Sequence, residues 1–88
     1  MRLTELDKTI LLAFLVFTKG SLDTYVKSEE LESKFSIRKR KLVRISLKRL
    51  TERKLLIRHE REDKYKFSKE GLKNASLLLR EGAKLWKF

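Results

Sequence analysis

Cysteine and proline are absent from these 88 residues, and glycine occurs only at positions 20, 71 and 82. Without cysteine there is no disulfide framework, no thiolate metal site and no cysteine nucleophile. Three scattered glycines leave no loop able to cradle a phosphate. The single histidine, His59, lies between Arg58 and Glu60, and a lone imidazole makes a poor metal site. No metal and no cofactor are expected. The longest apolar run, Ile10 to Phe17, falls well short of the roughly 20 residues that cross a bilayer. It also lacks the basic leader and small-residue cleavage site of a signal peptide, so a soluble cytoplasmic chain is expected, with no membrane partner. Glutamine is missing and asparagine occurs once, as Asn74. Such scarcity of amides beside many Lys, Arg and Glu is thermophile-like.

Catalysis finds no foothold either. Glu60, Glu62 and Asp63 fall at a turn among basic residues, with no apolar surroundings to raise a carboxyl pKa. The chain reads as a non-enzyme of one domain, residues 1–88, with a core over about 4–68 and a terminal helix over about 69–86. There is no room for a separate effector domain, and no small-molecule effector is evident.

What the chain does have is positive charge, +11 in all, and it is unevenly placed. Residues 1–33 carry a net −2, whereas residues 38–58 carry ten basic side chains against Glu52 alone. A solvated helix would offset such a run with carboxylates one turn away. The concentration points to a polyanionic partner.

Periodicity supplies the elements. Thr4 and Asp7 have the spacing of a capping box, and Gly20 suits a helix end, so a first helix is predicted from Thr4 to about Thr18. Leu6, Ile10, Phe14 and Phe17 form one stripe, and Leu11, Leu12, Leu15 and Val16 fill the other sides. A helix so apolar must be covered nearly all round. Thr24 to Lys27 reads as extended and Ser28 as the N-cap of a short helix. After a tight connection at Ser36-Ile37, residues 38–53 read as a longer helix. Val43, Leu47, Leu50 and Lys54 share one face of that helix. Arg38, Lys41, Lys48 and Glu52 share the other, flanked by Arg40 and Arg44. Leu55 to Arg61 and Tyr65 to Phe67 alternate as a hairpin. Ser68 then caps a last helix whose inner stripe is Leu72, Ala75, Leu79 and Ala83, with Leu78, Leu85 and Trp86 nearby. The expected class is α+β, mostly helical.

The stretches "KSEELESKFSI", "SLKRLTERKLLIR" and "YKFSKEGLKNA" occur in the order and spacing of a known pattern. Over Ser28 to Gly71 the chain resembles the winged helix-turn-helix domains of bacterial and archaeal transcriptional regulators, such as the multiple-antibiotic-resistance, phenolic-acid and arsenic repressors. Two departures stand out. Lys54 occupies a position where glycine is frequent, and the wing turn is short and lacks glycine.

The resemblance implies a double-stranded DNA-binding protein, a transcriptional regulator that lays helix 38–53 in the major groove. Arg40, Lys41 and Arg44 become candidates for base edges or nearby phosphates. Arg38 and Lys39 open that helix, and Lys48, Arg49 and Arg53 lie further along it, toward the backbone. Arg58, Arg61 and Lys64 are the phosphate candidates of the wing. Six to ten contacts would weaken binding roughly 10³- to 10⁵-fold between about 50 and 200 mM salt. Ile45 has two readings, contact with a thymine methyl or partial burial on a rotated helix. Nucleoid association follows from the same resemblance. A chromatin-coating role, and a winged helix that docks a protein, stay open beside it. Pairing through the terminal helices is also expected, with Ile10, Phe14, Phe17, Leu78, Leu85 and Trp86 at the seam of a homodimer.

Overall fold

A computed structural model of the chain describes residues 3–85, with side chains up to residue 81. Helix α1 (Glu5–Thr18) opens as the Thr4/Asp7 spacing predicts. The Thr4 hydroxyl accepts from the Asp7 N–H at 3.0 Å, and the Asp7 carboxylate accepts from the Thr4 N–H at 3.2 Å. The helix ends with Lys19 in the left-handed conformation, φ 55°, and Gly20 follows at φ 83°. After it come strand β1 (Val26–Lys27), helix α2 (Ser28–Glu32), a 3-10 turn (Ile37–Lys39), helix α3 (Arg40–Glu52), strands β2 (Leu56–Arg58) and β3 (Lys64–Phe67), and helix α4 (Lys69–Leu85).

Among the described residues the class is α+β, with four α-helices and one antiparallel sheet in the order β1-β3-β2. The hairpin strands align Leu56 with Phe67 and Arg58 with Tyr65. On its far edge β3 also pairs with β1, Val26 opposite Tyr65, so the extended piece before α2 is a third strand.

One core lies beneath this sheet. Ile10, Leu11 and Phe14 of α1 meet Val43, Leu47 and Leu50 of α3, with Leu31, Leu56, Phe67 and Ala75 closing the sides. The Phe14 and Phe67 rings meet in a tilted pair, centroids 5.7 Å apart and planes at 58°. This packing corrects the dimer expectation at two positions. Ile10 and Phe14 are wholly buried within their own chain, because α3, α4 and the sheet wrap the inner side of α1. Phe17 and Leu78 are partly buried against the same core. The side chains of Ala83 and Leu85, and Trp86 altogether, lie outside the described residues.

Three local expectations also change. Ser28 is the first helical residue of α2 rather than its cap, and its hydroxyl donates to Asp63 instead. Leu79 is exposed, and the inner stripe of α4 runs through Leu72, Ala75 and Leu78. Lys54 leaves the buried face of α3 because the helix ends before it. The Lys54 and Leu55 N–H groups turn back to Thr51 and Leu50 at 3.0 Å each, closing a Schellman turn. Lys54 holds the left-handed position of that turn, φ 62°, where glycine would be unstrained.

Candidate nucleic-acid interface

Val43, Ser46, Leu47 and Leu50 bury one face of α3, and that fixes what the other face presents. Lys41, Ile45, Lys48 and Glu52 project away from the core. The 3-10 turn adds Arg38 and Lys39 beside the helix start, so these two residues precede α3 rather than belong to it. Arg38, Lys39, Arg40, Lys41 and Lys48 are all exposed, and among the described residues none of them forms an ion pair. The hairpin sits beside this face. Between α3 and the hairpin runs an open cleft of about 640 Å³, with Arg44, Lys48 and Thr51 on one wall and Arg58, Asp63 and Tyr65 on the other.

Other cations of the run are engaged inside the chain. Arg49 forms a two-pronged pair with Asp7, Nη2 to Oδ1 at 2.7 Å and Nε to Oδ2 at 3.1 Å. The Ser46 hydroxyl donates to the same carboxylate. Burial pushes the Asp7 carboxyl up, but the Arg49 and Ser46 hydrogen bonds, the Thr4 N–H and the Arg49 charge outweigh it and hold it at about 2. The hydrogen bond to Asp7 raises the Arg49 pKa in turn. Arg49 is therefore a tie between α3 and the start of α1, which corrects its assignment to DNA. Arg44 donates to the buried Glu32 of α2 at 3.0 Å while its side chain stays exposed, so it braces α2 against α3.

The hairpin divides similarly. Arg58 lies 3.9 Å from Asp63 and donates to the His59 carbonyl. Lys64 pairs with Glu62 at 2.7 Å and sits over the Tyr25 ring, half-buried, which removes it from the free phosphate contacts. That pairing lowers the Glu62 pKa. Arg61 is exposed, with no ion pair among the described residues. His59 shapes the turn, because its Nδ1 accepts the Arg61 and Glu62 N–H groups at 3.2 Å each. Among the described residues no group of three His, Asp or Glu is placed to hold a metal ion, and no helix is long and apolar enough to cross a membrane.

Two features escape the sequence pattern. Ile37 and Leu42 stand exposed in the basic segment; Leu42 falls on neither helical stripe, and Ile37 reads there as a connection only. Asp7 reads there only as a cap, although it sits three, four and seven residues before Ile10, Leu11 and Phe14, on the buried face. An acid on that face needs a buried cation, and this is the signal that points to Arg49.

Comparison with protein-family models, with curated proteins and with solved structures finds no match to this chain.

Proposed function

We propose that this protein is a winged-helix DNA-binding protein that lays α3 in the major groove of a duplex and sets the β2–β3 hairpin, as a short wing, against the backbone. The observation that carries the reading is the exposed set Arg38, Lys39, Arg40, Lys41 and Lys48, unpaired among the described residues and carried by α3 and the 3-10 turn that leads into it. Ion pairs with Asp7 and Glu32 fix Arg49 and Arg44, and so fix the helix that carries the free charges. With Arg61 the set supplies about six phosphate contacts, and affinity then falls roughly 10³-fold between about 50 and 200 mM salt. A regulator of transcription is the preferred role; a high ratio of specific to non-specific affinity at fixed salt would separate it from a coating protein.

The test is duplex binding by fluorescence anisotropy across a salt series. Lys41→Ala/Lys48→Ala should weaken binding to every duplex and reduce the salt slope by about 2. An unchanged slope, or no duplex binding by the wild type, sinks the reading.

A further inference from the structure

Large aliphatic side chains stand exposed in the middle of the basic surface. Ile37 is 80% exposed, Leu42 52% and Ile45 47%, the first in the 3-10 turn and the other two in the first half of α3. Ile45 lies one turn from Lys41 and from Lys48 on the outward face, and Leu42 is its neighbour three residues back. The rotated-helix account of Ile45 fails on this geometry, because the buried face belongs to Val43, Ser46, Leu47 and Leu50. About half of the Ile45 surface stays open to water on the outward face.

The surrounding charge selects that partner. Unpaired cations flank these side chains at Arg38, Lys41 and Lys48, which repels basic surfaces and draws in a polyanion. A duplex offers one apolar group on its major-groove edge, the 5-methyl of thymine. RNA offers none, since uracil lacks the methyl and the A-form major groove is too deep and narrow for a helix.

Resting on the DNA-binding reading above, we propose that Ile45, supported by Leu42, reads thymine methyl groups, so that the preferred substrate is thymine-bearing duplex DNA rather than duplexes of the same charge without the methyl. The cations hold the helix in the groove without regard to sequence, and the aliphatic patch supplies the discrimination.

The probes are two short duplexes of alternating adenine and thymine or adenine and uracil, alike in charge and base pairing and different only in the methyl. Anisotropy titrations at one salt concentration compare them for wild type, Ile45→Ala and Lys48→Ala. Wild type should favour the thymine duplex by about fourfold for each methyl it buries. Ile45→Ala should lose most of that preference and keep the wild-type salt slope, whereas Lys48→Ala should weaken both duplexes equally. Because Ile45 is half exposed, its truncation opens no cavity, and an unchanged thermal unfolding midpoint verifies the fold. Equal wild-type affinity for the two duplexes, with a normal salt dependence, overturns the methyl reading and leaves DNA binding standing. So does a preference that survives in Ile45→Ala. Absence of binding to either duplex overturns both readings and turns the surface toward an acidic protein partner.

Discussion

Asp7 joins two parts of the chain that are 42 residues apart, since one carboxylate closes the α1 cap and also receives Arg49. Its pKa is about 2 folded against 3.8 for the ordinary group, so it contributes stability above about pH 4 that is lost as pH falls toward 2. The shift corresponds to about 2 kcal/mol. Urea unfolding at about pH 5 and again near pH 2 should show that loss in the wild type and much less of it in Asp7→Asn, which is weaker at the higher pH and nearly flat in this component. Equal acid sensitivity of the two proteins would remove the carboxylate from the account. The cap is legible in the sequence because Thr4 and Asp7 are three residues apart. The second role of Asp7 is not, because pairing across 42 residues depends on how α1 and α3 cross.

Elements are easier to find in the sequence than their junctions. Four buried positions on α3 repeat with helical spacing, and Tyr65 and Phe67 alternate with Lys66 as β3 requires. The pairing of β1 with β3 is out of reach, because two residues carry too little pattern to name a partner. Junction chemistry explains the rest. Lys54 marks the departure from glycine in the resemblance, yet the chain still adopts the left-handed turn there. Replacing it with glycine relieves the side-chain clash at some entropic cost, and Lys54→Gly should gain about 0.5 kcal/mol in chemical denaturation. Gly71 behaves in the opposite sense. A Cβ there would lie 1.8 Å from the Leu55 carbonyl oxygen, where α4 crosses the start of the hairpin. Gly71→Ala should therefore destabilise by about 3 kcal/mol, although alanine favours helix, and its unfolding midpoint measures this. A midpoint at or above wild type would mean that α4 can slide aside.

At the scale of the whole molecule, the sequence locates the charge excess correctly but overcounts the free cations, since Arg49, Arg44 and Lys64 have partners on other elements. The same blindness affects α1. Its apolar girth suggests a second subunit, whereas the chain itself covers Ile10 and Phe14. Val16, Leu77 and Leu79 remain exposed on α1 and α4 among the described residues, and a homodimer paired through these two helices would draw on them. Sedimentation velocity over a concentration series should then show self-association that Val16→Lys/Leu79→Lys abolishes, while duplex affinity per copy is retained. A monomer at every concentration ends the pairing proposal. The backbone N–H of Ser28 donates to the Asp63 carbonyl at 3.0 Å, and the Ser28 hydroxyl holds the Asp63 carboxylate. The hairpin tip is thereby tied to the first turn of α2 by two hydrogen bonds. Little chain has to be frozen when a partner docks, so calorimetry should record a small ordering penalty and encounter should be governed by diffusion and salt.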